Sequence, residues 1–229
     1  MTLGAPHAPH LFVADLDCIE LTDADVHHLR VLRVRAGDEI TVSDGAGRWR
    51  PARFGAPVVA TGEVAFVERL QPSITIAFAP VKGDRPEWVV QKLTELGVDT
   101  IVPLVAERSV VVWRGDRIPH QLDRLRRVSR EAAMQSRQCW LPDVAAPIAF
   151  RDAQRLGGAC LAHPGGGPPS LDRPVVLIGP EGGWSDAELS AEVPRVGLGP
   201  TTLRAETAAV AAAAVLAALR SGLVDGHVG

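Results

Sequence analysis

The sequence predicts an α/β protein whose mostly parallel sheet follows a small β-rich N-terminal domain. From Ser73 onward, apolar runs of strand length alternate with helical patterns, which is how strands joined by helical crossovers read. Before Gln71-Pro72, short β-like runs dominate instead. A chain of 229 residues, 46% of them hydrophobic, can hold one large domain and a small one. The expected division is therefore 1–72 and 73–229.

In the first part, β-like runs at 11–13, 38–42, 48–54 and 62–70 are interrupted by a helical patch at 23–32 and by the hairpin signal Asp44-Gly45-Ala46-Gly47. These suit a small β-barrel, with Thr22 and Asp25 placed to cap the short helix. In the second part, 73–80 reads as a strand. Pro86 suits the first turn of a helix reaching Leu96, closed by Gly97, and 99–105 is the next strand. Val89, Leu93 and Leu96 share that helix's apolar face, leaving Lys92 and Glu95 for an exposed ion pair. Residues 118–136 form a long helix with Leu122, Leu125 and Val128 inward, and 159–163 is a strand entering a flexible loop at 164–169.

Val175 to Ile178 reads as a strand buried on both faces, followed by the loop Gly179-Pro180-Glu181-Gly182-Gly183 and a capping box at Ser185 and Glu188. The glycines let backbone approach a ligand, and the same pattern serves equally as turn chemistry. A second strand-loop-helix unit runs through Leu198-Gly199-Pro200 to an Ala-rich helix, with Thr201 and Thr202 as candidate caps. Glu206 falls near the positive end of that helix. The alanines at 211–214 imply close packing on a neighbour.

The net charge of −3 at first opposes a nucleic-acid partner, but basic residues are concentrated. Residues 27–54 hold six arginines against three acids, and 114–137 hold seven against three. The two runs are candidates for one track, or for solvated faces laced with ion pairs. Cys18, Cys139 and Cys160 are scattered without ligand spacing and read as reduced packing residues. His27 and His28 face different ways on a helix, so no metal site is expected. No basic leader pattern or membrane-length apolar run is read, which points to a cytoplasmic protein. GxGxxG after the first strand and GK[ST] are both missing, which argues against a dinucleotide-binding oxidoreductase.

LIGPEGG and LGPTTLRAETA together resemble the C-terminal signatures of the SPOUT RNA methyltransferases, and in particular the bacterial 16S rRNA uracil-N3-methyltransferase family. The resemblance extends to HHLRVLR with Gly37-Asp38, to KLTELGV at 92–98, and to EAAMQS at 131–136 before Pro142. Two positions depart from the family pattern. Gln138 stands where an arginine is common, with Arg137 before it, and the first strand begins His10-Leu11-Phe12 without the usual arginine.

The resemblance implies a PUA-like N-terminal barrel, a trefoil knot in the C-terminal SPOUT domain, a homodimer, and S-adenosylmethionine held by three knot loops. The cofactor residues it implies are Leu161 and His163, then Ile178, Gly179, Pro180, Glu181, Gly182 and Gly183, then Leu198, Gly199, Pro200 and Leu203. Arg204 would steady the developing uracilate or anchor its phosphate, and Glu206 or Glu181 would accept the N3 proton. The alternative for the acids is that Glu206 serves its helix end and Glu181 braces its loop. The implied partner is 16S rRNA in the small ribosomal subunit, through His28, Arg30, Arg33, Arg124, Arg127, Arg130 and Arg137. Competing expectations are a SPOUT enzyme acting on a ribose 2′-hydroxyl or another base, and a non-catalytic RNA-binding assembly factor.

Overall fold

The computed structural model describes residues 8–225, so the first residues read for a leader lie outside it. Two compact units divide the chain. The smaller comprises the described residues up to Arg69 with Arg130–Leu141, and the larger Leu70–Ser129 with the described residues from Pro142 on.

The smaller unit is built on β1 (His10–Phe12), α1 (Asp23–Val31), β2 (Glu39–Ser43), β3 (Arg48–Arg53), β4 (Val59–Ala60) and β5 (Ala65–Phe66). Its five-stranded sheet runs β1-β2-β3-β4, with β5 also on β3. The Asp44–Gly47 signal does form the β2–β3 hairpin, pairing Ser43 with Trp49. Thr22 and Asp25 form a reciprocal capping box on α1. The strand expected over 62–70 shortens to the two residues of β5, and β4 was not anticipated. Leu11, Leu29, Ile40 and Val42 are fully buried in the core of this unit, with Ala133 against them.

His10 sits in that core between two fixed partners. Its Nε2 lies 2.9 Å from the Gln138 carbonyl, which only accepts, so Nε2 carries the proton and Nδ1 accepts from the Thr41 hydroxyl, also at 2.9 Å. Burial lowers its pKa from 6.5 to about 4.

The larger unit adds β6 (Thr75–Phe78), α2 (Arg85–Glu95), β7 (Thr100–Val105), α3 (Arg117–Gln135), β8 (Asp143–Val144), β9 (Ile148–Ala149) and α4 (Phe150–Ala153). It closes with β10 (Ala159–Gly167), β11 (Val175–Ile178), α5 (Asp186–Leu189), β12 (Arg195–Val196) and α6 (Ala205–Arg220). The sheet order is β12-β10-β11-β6-β7-β8, with β9 on β7, and every pairing is parallel. α3 begins in this unit and ends in the smaller one.

Period-two alternation explains the double burial of β11. Val176 and Ile178 pack into one apolar cluster with α2 and α6 residues, while Val175 and Leu177 pack into another with Phe150 and Trp184. Fully burying each such side chain contributes roughly 1.5–3 kcal/mol. The small Ala209, Ala212 and Ala213 are fully buried and let α6 lie against α2. The end of α6 is fixed by a buried ion pair between Arg220 and Asp99, whose Oδ2 also accepts from the Ile74 amide at 2.8 Å. Arg220 Nη2 donates to the Gly97 carbonyl at 2.6 Å.

Two expectations are corrected here. The flexible loop at 164–169 is in large part strand, because β10 continues to Gly167 and both Ala162 and Gly167 pair with Val196. Only glycines allow this approach: a Cβ at Gly166 would stand 2.4 Å from the Val196 carbonyl carbon, and one at Gly197 2.7 Å from the Gly166 oxygen. Thr201 and Thr202 do not cap α6. Arg204 is its N-cap, with no side-chain capping bond, since the helix begins only at Ala205.

Candidate functional site

The glycine loops meet at a cleft of about 760 Å³ in the larger unit. It opens beyond the carboxyl ends of parallel strands, where backbone groups and helix starts are available to a ligand. β10 leads into it through Ala162, His163 and Pro164, and β11 through Ile178 to Glu181. The segment before α6 supplies Leu198, Gly199 and then Thr201 to Ala205.

The β11 loop is shaped from within. Gly183 has φ +70°, a left-handed backbone that favours glycine, and its amide closes a turn on the Pro180 carbonyl at 2.8 Å. A Cβ at Gly179 would lie 2.9 Å from Trp184 Cε2, so this glycine makes room for a tryptophan rather than for a ligand. Trp184 is buried, donates its Nε1 hydrogen to the Ala162 carbonyl at 3.0 Å, and lies 5.5 Å from Phe150 between ring centres. It therefore ties strand β10 to the β11 loop. Gly182 faces Arg108, whose Nη1 donates to the Trp184 carbonyl at 3.0 Å and to the Gly182 carbonyl at 3.4 Å. The α5 capping box forms as expected, and Glu188 Oε1 also accepts from the Glu107 amide.

Most of the expected cofactor residues line this cleft, but three do not. Leu161 is fully buried in the sheet core, Gly182 points to Arg108, and Pro200 is exposed off the cleft wall. Glu206 stands behind the wall, with its side chain 14% exposed. Arg204 lines the cleft, exposed, and its side chain has no hydrogen-bond or ion-pair partner among the described residues, while its carbonyl accepts from the Ala208 amide at 2.8 Å. His163 lines it too, with Nδ1 donating to the Pro164 carbonyl at 2.7 Å.

The electrostatic centre is a residue that the sequence did not single out. Arg85, the first residue of α2, directs Nη1 to Glu181 Oε1 at 3.0 Å and to Glu206 Oε1 at 3.3 Å. One guanidinium thus joins an acid of the β11 loop to one in the first turn of α6. Glu206 Oε2 is buried and has no hydrogen-bond partner among the described residues, an arrangement that is costly unless a donor arrives. Trp184 was likewise missed as a lining residue, although it directly follows the GPEGG loop, while Thr201 and Thr202, expected as caps in the loop from Leu198 to Leu203, line the cleft. For Arg85 no local pattern signals a role, because its partners lie 96 and 121 residues away.

The arginines expected at RNA are dispersed in their roles. Arg30 and Arg33 are exposed on and just after α1, and His28 is half-buried. Arg33 adopts φ +61° and Arg137 φ +57°. Arg127 is exposed, whereas Arg124 pairs with Glu87 at 2.7 Å. Arg130 donates to the Phe12 carbonyl at 2.7 Å and to Asp25 at 3.2 Å, and so braces the smaller unit's core. Burial pushes the thiols of Cys139 and Cys160 up to about 11, in keeping with inert packing. Among the described residues, no cluster of three or more His, Cys, Asp or Glu could hold a metal ion, and no helix is long and apolar enough to cross a membrane.

Residues 68–217 match a family model described as an RNA methyltransferase domain, and 21–56 match one described as an RNA methyltransferase PUA domain. The chain is 35% identical to ribosomal RNA small subunit methyltransferase E of Synechocystis, over 88% of this chain and 73% of that protein. It is 30% identical to the Mycobacterium bovis protein of the same name, over 90% and 89%. The crystal structure of ribosomal RNA small subunit methyltransferase E from Neisseria gonorrhoeae, bound to S-adenosyl methionine, superposes with a TM-score of 0.80 at 29% identity, covering 93% of this chain and 98% of that one. A probable rRNA methyltransferase from Porphyromonas gingivalis gives 0.79 at 30%, over 94% and 100%. The parallel sheet with its C-terminal cleft, joined to a PUA-type unit, defines the class: a SPOUT-type RNA methyltransferase. Within that class, the chain belongs to the ribosomal RNA small subunit methyltransferase E family.

Proposed function

We propose that the protein methylates N3 of a specific uridine in 16S rRNA of the small ribosomal subunit, using S-adenosylmethionine, as a cytoplasmic homodimer. The observation that carries this reading is the exposed Arg204, its side chain without a partner among the described residues, on the wall of a cleft lined by three loops. The cleft fits the cofactor in size and character: about 760 Å³, apolar at Ile178, Trp184, Leu198 and Leu203, and charged at Arg85 and Glu181. When bound, S-adenosylmethionine supplies an electrophilic methyl group on a positively charged sulfur.

Uracil N3 is a weakly acidic imide and a poor nucleophile until it loses its proton. The protein must therefore unpair the base, hold it in line, and stabilise the anion. Arg204 serves the last need, because its guanidinium stays charged and forks towards oxygen. Glu206 or Glu181 accepts the proton, directly or through one water. Fixed positioning within the cleft lowers the barrier further, by up to roughly 7–11 kcal/mol in favourable cases. Residues 1–72 are assigned to RNA docking and 73–229 to catalysis, with His28, Arg30, Arg33, Arg124, Arg127, Arg130 and Arg137 as candidate RNA contacts. Of these, exposed Arg30, Arg33 and Arg127 are the best placed to reach phosphates. A trefoil crossing at this end of the sheet belongs to the same reading. Val215, Leu223 and Val224, exposed at the end of α6 and beyond it, support a second copy packing there.

Incubation with labelled S-adenosylmethionine and unmodified small subunits, followed by digestion, tests the reading. A labelled 3-methyluridine bears it out. A 2′-O-methylated nucleoside moves the protein to another SPOUT branch, and no label despite cofactor binding favours the assembly-factor reading.

A further inference from the structure

The cleft presents two guanidinium groups in different company. Arg204 has no carboxylate within ion-pairing distance among the described residues, so it suits an isolated anion. Arg85 is flanked by two carboxylates, yet only its Nη1 is used, bonding Glu181 and Glu206. Its Nε and Nη2 have no protein partner among the described residues, and its side chain is 45% exposed. That free edge is the fork that pairs two N–H donors with the two oxygens of a carboxylate.

A zwitterion needs both signs of charge side by side, which Arg85 and Glu181 provide on one wall. Glu181 is 53% exposed and uses Oε1 on Arg85, leaving Oε2 for a second donor. Glu206, at 14% exposure, holds Arg85 from behind. Resting on the S-adenosylmethionine reading above, we infer that Arg85 and Glu181 form the subsite for the amino-acid end of the cofactor. The Nε and Nη2 edge of Arg85 takes the α-carboxylate, and Glu181 Oε2 takes the α-ammonium. One guanidinium against two carboxylates leaves the cluster net negative, matching a cofactor whose ammonium and sulfonium outweigh its carboxylate. With Glu181 so engaged, Glu206 remains as the proton acceptor, and Arg85 is also a positioning residue for it.

Calorimetric titration of the intact protein with two nucleosides separates this from other roles. S-adenosylhomocysteine carries the amino-acid end and 5′-methylthioadenosine lacks it. Arg85→Ala is expected to weaken S-adenosylhomocysteine at least about tenfold while leaving methylthioadenosine within about twofold of wild type. Arg85→Lys, which keeps the charge without the fork, falls between, and Glu181→Gln repeats the selective loss. Equal weakening of both nucleosides, or of neither, overturns the subsite. Failure of the wild type to bind either nucleoside would instead overturn the cofactor reading and this inference with it.

Discussion

Gly179 and Trp184 are fitted to each other: the glycine lies flat against the indole, and a Cβ there would come within 2.9 Å of Cε2. The ring in turn holds Ala162 of β10 through its Nε1 hydrogen, so this contact sets the spacing of the β11 loop from β10 at the cleft. Gly179→Ala should cost roughly 1–3 kcal/mol by overpacking and weaken S-adenosylmethionine binding. A double-mutant cycle with Trp184→Phe checks the cause, since the smaller ring should recover part of both losses.

Glycines of the same loops differ sharply in tolerance. Gly166→Ala forces a side chain into the Val196 backbone and should abolish cofactor binding or folding. Gly182→Ala meets only ordinary contact with Arg108, at 3.5 Å, and should bind cofactor within about twofold of wild type. Thermal denaturation and cofactor titration of the pair decide this.

Arg220 and Asp99 form a buried ion pair at the base of the larger unit, with side chains 6% and 7% exposed. Removing the guanidinium leaves the buried Asp99 carboxylate without its counter-charge, so Arg220→Ala should lower stability by about 3–5 kcal/mol in urea unfolding. Arg124→Ala, which breaks a pair half exposed on the arginine side, should cost under about 1 kcal/mol.

His10 makes the smaller unit acid-sensitive. Its folded pKa, about 4, lies below the unfolded 6.5, so the unfolded chain binds the extra proton between those values. The stability linked to neutral His10 is present above pH 6.5 and is lost as pH falls towards 4, by up to about 3 kcal/mol. His10→Gln should flatten that part of the stability profile relative to wild type.

Features that rest on neighbours in sequence were legible in it. The capping box at Ser185 and Glu188, the caps Thr22 and Asp25, the doubly buried strand at Val175–Ile178 and Pro86 in the first turn of α2 depend on local spacing, and they form as read. Features that need a distant partner were not. Pro164 to Pro169 reads as a flexible loop until residues 195–197 arrive beside its first part. The threonines before α6 have the chemistry of caps, but the chain passes them along the cleft wall before the helix begins. Arg85 acquires its place only when the β11 loop and the first turn of α6, both far along the chain, come together on it. The cleft's glycine segments were therefore visible in advance, while its charge arrangement was not.

Arg204 is proposed to act on the base while the loops hold the cofactor, and measuring both functions in parallel in Arg204→Ala separates the two roles. Titration with S-adenosylhomocysteine and single-turnover methyl transfer to small subunits should show affinity within about twofold of wild type and a rate reduced by roughly 100- to 1,000-fold. Cofactor affinity falling as far as the rate, or a rate that stays near wild type, would contradict it.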